Sequence, residues 1–183
     1  FFFLKKKFFF FANLLMKYDK NLFFIPGIQR HTDREILERA ENIQKILAFI
    51  NFSKQLFDVI LIDVGVFEDI ELEIDLQEIA DQIFVVTELS IPSMSILKTH
   101  IDIIDKSGWY SKTNIVVNRE DSFGTITKDD AMMILSKDSL HNFVVDFTLP
   151  NDAKHLRACW NDARLVCEES PDSIFVKRLD EMI

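Results

Sequence analysis

Seven polar or turn-forming residues stand at or just after the ends of short aliphatic runs in the sequence. They are Asp63, Gly65, Asn118, Arg119, Pro150, Asn151 and Asp152. In an open parallel sheet, ligands bind in the crevice beyond the carboxyl ends of the strands. If the aliphatic runs are strands of one sheet, these residues are the candidates for a ligand-binding site.

Asp63 follows the run FDVILI and precedes Gly65 by two positions. A carboxylate at the mouth of a buried strand, beside a glycine that permits a sharp turn, can hold Mg²⁺ through water and orient a nucleophile near a γ-phosphate. We therefore assign Asp63 as the candidate catalytic and metal-binding residue, with Gly65 as a cofactor-binding neighbour. The alternative is that Asp63 only caps the turn after the strand.

Two later strand ends carry groups suited to a nucleotide base. The carboxamide of Asn118 offers a donor and an acceptor in one plane and can bind the edge of a purine, with Arg119 beside it. Pro150 provides a stiff apolar wall for stacking, and Asn151 and Asp152 follow at a predicted helix start. The alternatives are a turn-forming Asn118, and a simple strand-to-helix turn capped by Asn151 or Asp152.

Five aliphatic runs alternate with helical periods, a pattern typical of a sheet covered by helices on both faces. The predicted strands are NLFFI (21–25), FDVILI (57–62), IFVV (83–86), NIVV (114–117) and FVVDF (143–147). FDVILI is nearly all apolar, which predicts a central strand buried on both faces. The fold class we predict is α/β, with an open, mostly parallel sheet.

The predicted helices are marked by their end signals. Thr32 and Glu35 have capping-box spacing before an amphipathic stretch that reaches Ile50. Pro92 opens a helix that Gly108 ends, with Ile96, Leu97, Ile101 and Ile104 on one face. Thr127 and Asp130 mark the next helix start. Two helical stretches close the chain, the second predicted to be capped by Ser170 before Pro171.

Composition narrows the class of protein. With 183 residues and 48% hydrophobic residues, the chain is long enough for one substantial core. Its net charge of −9 argues against binding to DNA, which requires a basic face. No apolar run approaches the roughly 20 residues of a spanning helix. Cys159 and Cys167 lack further ligands at zinc spacing, and we assign them no role.

Residues 1–20 differ in composition from the rest of the chain. Seven of the 18 phenylalanines lie among the first eleven residues, around three consecutive lysines. Such a segment can lie on an anionic membrane surface, or it can be part of a larger upstream element. We therefore divide the chain into a Phe/Lys-rich start (1–20) and a nucleotide-binding domain (21–183), and expect further sequence before Phe1.

Taken in order, FDVILIDVG, ADQIFVVTELSIPSMSILKTH, NIVVNRED, TITKDDAMMIL and LPND resemble the MinD/ParA superfamily of deviant P-loop ATPases. The later segments favour the CpaE/TadZ-type proteins of pilus assembly. The resemblance implies ATP and Mg²⁺ as cofactors, Asp63 acting on the metal and its water, and Asn118 with the Pro150–Asp152 turn framing adenine. It further implies a cytoplasmic homodimer with protein partners in a pilus or secretion system. Peripheral contact with the inner face of the membrane is a further possibility.

The sequence differs from that family in the phosphate-binding loop, whose pattern it does not contain. No Gly-x-x-x-x-Gly-Lys-[Ser/Thr] pattern occurs, and the four glycines are too few and too scattered to form a backbone nest for phosphate. An ATPase or pseudo-ATPase of this class is the first functional hypothesis. A non-catalytic protein- or membrane-interaction module on the same fold is the second, and another ParA-like partition or accessory ATPase is the third.

Overall fold

The structure is a computed structural model that describes residues 15–27, 39–65, 71–121, 126–137 and 139–182. The chain forms two compact units, Phe1–Glu73 and Ile74–Ile183. The predicted division at residue 21 stays a prediction. The helices of the described ranges are α1 (Ala40–Ser53), α2 (Glu71–Ile79), α3 (Ile91–Ser107), α4 (Lys128–Ser136), α5 (Ala153–Asn161), α6 (Val166–Glu169) and α7 (Ile174–Asp180).

The first unit contains a short hairpin and helix α1. Strands β1 (Met16–Lys17) and β2 (Phe23–Phe24) pair antiparallel. The strand predicted at 21–25 is thus present but covers only Phe23 and Phe24. Helix α1 buries Ile43 and Ile50, which confirms its predicted apolar face. The predicted start of this helix at Thr32 and Glu35 lies outside the described residues.

The prediction that FDVILI forms a central strand is wrong for the described structure. Residues 57–65 have no regular secondary structure and belong to neither of the two described sheets. Val59 and Leu61 are 74% and 88% exposed, where a central strand would bury both. An apolar run becomes a strand only where a neighbouring backbone completes its hydrogen bonds, and no described residue pairs with this one.

The second unit is built on a parallel sheet of three strands in the order β3 (Ile83–Thr87), β4 (Thr113–Glu120), β5 (Phe147–Pro150). Ile83, Val85 and Ile115 pack into one core with apolar residues of helices α3 and α4. Val116 is next to Ile115 in β4, so its side chain faces the other side of the sheet, where it is fully buried. Helix α7 packs against β5. The predicted parallel sheet with flanking helices is therefore confirmed.

The residues that mark helix ends in the sequence predicted the positions of α3 and α4 correctly. Ser90 caps α3, accepting from the Ser93 amide at 3.3 Å, and Gly108 ends the helix with a left-handed φ of 73°. Thr127 and Asp130 mark the start of α4, as predicted, and form a capping box in which the hydrogen bonds from Thr127 lower the pKa of the Asp130 carboxyl. Ile96, however, is 56% exposed and not on the buried face.

The last strand begins later than predicted, at Phe147 instead of Phe143. Asp146 explains the shift, because its amide donates to the Ile115 carbonyl at 2.9 Å while its carboxylate accepts from the Ile115 amide at 2.7 Å. The side chain takes the place of a main-chain carbonyl, so residues before Phe147 are held without a regular ladder. Phe143 still contributes to the core, with 3% exposure.

We expect Asp146→Ala to lower the free energy of unfolding by about 1 kcal/mol, because it leaves the Ile115 amide without its acceptor. Asp146→Asn keeps an oxygen in the same position and is the matched control, with a smaller loss. Chemical denaturation followed by circular dichroism measures both. Equal losses for the two variants would contradict the role given to the carboxylate oxygen.

The last helix starts three residues later than predicted. Ser173, and not Ser170, is the residue before α7, and its hydroxyl accepts from the Val176 amide at 3.2 Å. Ser170 instead follows the end of α6. Both serines precede acidic or apolar residues at similar spacing, so the sequence alone did not separate them. No helix within the described ranges is both long and apolar enough to cross a bilayer.

A lysine side chain binds the carbonyl groups at the carboxyl end of helix α2. The Lys112 ammonium donates to the carbonyls of Gln77, Glu78 and Ala80 at 2.8, 2.9 and 3.1 Å. Its Nζ also lies 5.5 Å from the ring centre of Trp109, whose indole N–H donates to the Glu78 carboxylate at 2.8 Å. All three ammonium protons therefore have acceptors, and the carbonyls at this end of α2 are satisfied.

A buried carboxylate on α3 holds the segment between α4 and β5. Asp105 accepts from the Leu140 amide and pairs with His141 Nδ1, both at 2.8 Å. The Tyr110 ring stacks on His141 with 4.3 Å between ring centres, and its hydroxyl donates to the Asn142 carbonyl at 3.0 Å. One side chain thus fixes a loop 35 residues further along the chain.

Candidate functional site

The carboxyl ends of the three parallel strands form the candidate site of the second unit. Asn118 and Arg119 lie near the end of β4, and Pro150 ends β5 in register with Glu120. The Asn151 amide donates to the Glu120 carbonyl at 2.9 Å, which joins the two strand ends. The structure therefore places the candidate residues 118–119 and 150–152 at the carboxyl end of the same sheet.

Arg119 has an unusual backbone. Its φ of 54° lies in the left-handed region, and the β4–β5 register shifts between Val117 and Glu120. The Asn118 carboxamide oxygen accepts from the Arg119 amide at 2.9 Å and supports this turn. Strained backbone of this kind costs about 1–3 kcal/mol and persists only where neighbouring contacts hold it. Asn118 thus uses its oxygen in the turn, as the structural alternative predicted.

Asp152 also bonds locally. It precedes helix α5 without a side-chain cap bond, and its carboxylate instead contacts His155 Nδ1 at 2.7 Å. The Asp152 side chain is 17% exposed, whereas His155 is 45% exposed. The alternative, in which the Asp152 side chain caps the helix, is therefore not observed, because the carboxylate bonds to His155 one turn into α5; the predicted role of Asp152 in nucleotide binding stays a prediction.

Asp63 and Gly65 lie in the first unit, in an exposed turn. The Gly65 amide donates to Asp63 Oδ1 at 2.9 Å, and Gly65 has a φ of 73°. This is the turn-capping arrangement that the sequence left open as an alternative. No group of three or more His, Cys, Asp or Glu suited to a metal occurs among the described residues, so Asp63 stays a predicted metal ligand.

Sequence reasoning missed Glu88 and Lys128. Glu88 follows β3 directly, and its carboxylate accepts from the Arg119 guanidinium at 2.9 Å, linking the ends of β3 and β4. Lys128 at the start of α4 pairs with Glu120 at 3.0 Å. The rule that selected Asn118 also applies to Glu88, since it is the first charged residue after the run IFVVT.

The described residues offer different groups to the base and to the phosphates of the predicted nucleotide. Asn118 retains its amide group for a base, and the Pro150 turn lies at the neighbouring strand end. For phosphates, a nest of successive backbone N–H groups is needed, and the left-handed glycines of the described ranges, Gly65 and Gly108, are isolated from each other. Base binding by Asn118 and the Pro150 turn therefore stays a prediction, and no phosphate cradle is present in the part described.

A small cavity at helices α5 and α6 borders the candidate site through its lining residue His155, which contacts Asp152. It has a volume of about 130 Å³ and is lined by His155, Cys159, Asp162, Arg164 and Glu169, among others. Arg164 donates to Glu169 at 2.8 Å, and this bond raises the pKa of the arginine. Arg164 and Glu169 thus already pair with each other in the cavity wall.

Three solved structures share this fold. A ParA family ATPase from Chlorobium tepidum TLS superposes with a TM-score of 0.79 at 17% identity, covering 94% of this chain and 66% of the other. The MinD cell division protein of Aquifex aeolicus gives 0.64 at 16% identity, with 92% and 66% coverage. The MinC:MinD cell division protein complex of the same organism gives 0.65 at 17%, with 92% and 64%.

These likenesses establish the fold class of the chain. It has the α/β fold of MinD/ParA-type P-loop NTPases, as the order of its strand-end motifs predicted. The chain spans slightly less than two thirds of the length of these structures. No family model and no curated protein matches the sequence.

Proposed function

We propose that the protein is a MinD/ParA-like ATPase or pseudo-ATPase of the CpaE/TadZ type, which acts in the localisation or assembly of a pilus or secretion apparatus. The observation that carries this proposal is the meeting of Asn118, Arg119 and the Pro150–Asp152 turn at the carboxyl edge of a sheet with this fold. The CpaE/TadZ assignment rests on the NRED, TITKDD and LPND segments of the sequence.

In this function the residues of the second unit bind the base. The Asn118 amide group donates to an acceptor on the purine edge, while its oxygen keeps the Arg119 turn in place. Pro150 offers an apolar surface to the ring, and Asn151 is held beside it through the Glu120 carbonyl. Asp63 and Gly65 are proposed to act on Mg²⁺ and its water when ATP is bound.

Binding of a fluorescent ATP analogue in the presence of Mg²⁺ tests this proposal directly. We expect Asn118→Ala to weaken the binding of the analogue by about tenfold, because one hydrogen bond to the base and the support of the Arg119 turn are lost. Asn161→Ala, at the exposed end of α5, is the matched control with unchanged affinity. A folded full-length protein, with its upstream sequence, that binds no analogue would rule out the ATPase, and a localisation role that needs no nucleotide would remain.

A non-catalytic interaction module is the second candidate function. It is favoured by the self-contained contacts of the candidate residues, since Asp63 caps its own turn and Arg119 is paired with Glu88. Asp63→Ala in the cell separates the two candidates. A dominant-negative localisation phenotype supports an ATP cycle, whereas an unchanged phenotype supports the module, with its partner bound by the acidic residues or by the Phe-rich start of the sequence.

A further inference from the structure

The carboxylate of Asp152 is held by a short contact with a side chain of helix α5. Its Oδ1 lies 2.7 Å from His155 Nδ1, and the Asp152 side chain is 17% exposed. The Arg119–Glu88 pair at the same end of the sheet spans 2.9 Å between side chains that are 68% and 46% exposed. Exposed ion pairs contribute little, because water and salt screen them. The contact with His155 is therefore better placed to hold a side chain in one orientation.

The chemistry of the two groups determines which of them donates. An ionised carboxylate only accepts hydrogen bonds, so His155 Nδ1 carries the hydrogen, either in the neutral ring or in the imidazolium. The bond uses Oδ1 of Asp152. The second oxygen, Oδ2, can accept from a further donor, because each carboxylate oxygen has its own lone pairs. His155 thus orients the carboxylate without using its full capacity to accept.

The same contact keeps Asp152 from capping its own helix. An aspartate at the residue before a helix usually accepts from a backbone amide two or three residues further on. Asp152 stands at that position before α5, with a φ of −105° and a ψ of 48°, but its side chain makes no capping bond. The His155 side chain takes the place of the backbone amide as the partner of the carboxylate. Without His155, the carboxylate would be free to turn to the amides of the helix.

The position of Asp152 gives this orientation a use. The Asn151 amide donates to the Glu120 carbonyl at 2.9 Å, which ties the turn before Asp152 to the end of β4. Asn118 lies near the same strand end, and its oxygen already accepts from a backbone amide. Its amide group is therefore a donor, while Asp152 Oδ2 is an acceptor. The edge of adenine is complementary to such a pair, because its amino group donates and its ring nitrogen accepts.

We propose that His155 is a positioning residue for base recognition, which holds Asp152 away from the amides of α5 so that Oδ2 accepts from the amino group of adenine. This inference rests on the proposed function, and it names the group that selects the base at the same site. His155 touches no nucleotide and acts through Asp152. Loss of His155 therefore affects recognition of the amino group and leaves the other contacts with the nucleotide in place.

Binding of two nucleotides to the full-length protein, with its upstream sequence, tests the positioning role. The probes are ATP and purine riboside triphosphate, which lacks the amino group. We expect the wild type to bind ATP about tenfold more tightly, because the second probe cannot donate to the carboxylate. His155→Ala should reduce this preference to about twofold or less, by weakening the binding of ATP alone. Lys154→Ala, at an exposed residue in the first turn of α5, is the matched control and keeps the preference.

Two further variants test the geometry of the contact. In His155→Asn, the side-chain nitrogen takes nearly the position of histidine Nδ1 and can still donate to Asp152, so we expect the preference for ATP to be kept. His155→Gln places its amide group one bond further out and should lose the preference. A preference for ATP that is the same in His155→Ala as in the wild type overturns the positioning role.

Stability separates positioning from a purely structural role. Because Asp152 can cap α5 once His155 is removed, we expect His155→Ala to unfold at the same denaturant concentration as the wild type or a higher one. A less stable variant that loses affinity equally for both nucleotides would make His155 structural and overturn the proposal. A wild type that binds neither nucleotide contradicts the proposed function, whereas a wild type that binds both equally well contradicts this inference alone.

Discussion

Asp105→Ala is expected to lower the free energy of unfolding by about 3 kcal/mol, the largest effect of the substitutions considered, because it removes a buried carboxylate that bonds to the half-exposed His141 and leaves a main-chain donor without an acceptor. The carboxylate of Asp105 is 5% exposed and accepts from both the Leu140 amide and His141. Chemical denaturation gives the change in free energy. Hydrogen exchange at the Leu140 amide reports the local release of the loop.

Asp105→Asn separates the two bonds made by the carboxylate. The remaining oxygen can still accept from the Leu140 amide, and His141 can present Nδ1 as an acceptor to the new amide group by changing tautomer. We therefore expect a smaller loss than for Asp105→Ala, with slow exchange retained at Leu140. A loss in Asp105→Asn as large as in Asp105→Ala would show that charge, and not hydrogen-bond geometry, holds this loop.

Lys112→Met is expected to lower the free energy of unfolding by about 2 kcal/mol, because three carbonyls at the end of α2 lose a charged donor. Methionine keeps most of the aliphatic stem, so the change isolates the ammonium group. Lys154→Met is the control, since Lys154 is an exposed lysine in the first turn of α5. Thermal and chemical unfolding measure both variants.

Lys112→Arg should fail to restore full stability. The lysine ammonium reaches three carbonyls that converge on one atom, whereas the guanidinium spreads its donors over a flat fork. Full stability in Lys112→Arg would mean that the positive charge over Trp109 matters more than the three hydrogen bonds. Hydrogen exchange in the last turn of α2 distinguishes these two causes.

The sequence predicted those elements whose signals are local. The boundaries of α3 follow from Pro92 and Gly108, and the start of α4 from Thr127 and Asp130, because each signal bonds within its own turn. Strands β3 and β4 were predicted from continuous β-branched runs, and both are buried on the face that meets α3. In each case the stabilising partner lies within a few residues or on an adjacent element.

The sequence did not predict features that depend on distant partners. FDVILI has the composition of a central strand, but composition does not supply the neighbouring backbone that makes one. The late start of β5 depends on Asp146 meeting the Ile115 amide, 31 residues earlier in the chain. The Glu88–Arg119 pair at the strand ends likewise joins residues 31 apart. At the candidate site, the residue types were predicted, and their bonds to one another were not.

The left-handed backbone at Arg119 restricts which residues can occupy this position. Glycine adopts a φ of 54° without steric cost but has no guanidinium to pair with Glu88. A β-branched residue keeps a side chain there but is strained at a positive φ. Backbone conformation and charge therefore make opposite demands on this position, and substitutions at Arg119 separate the two.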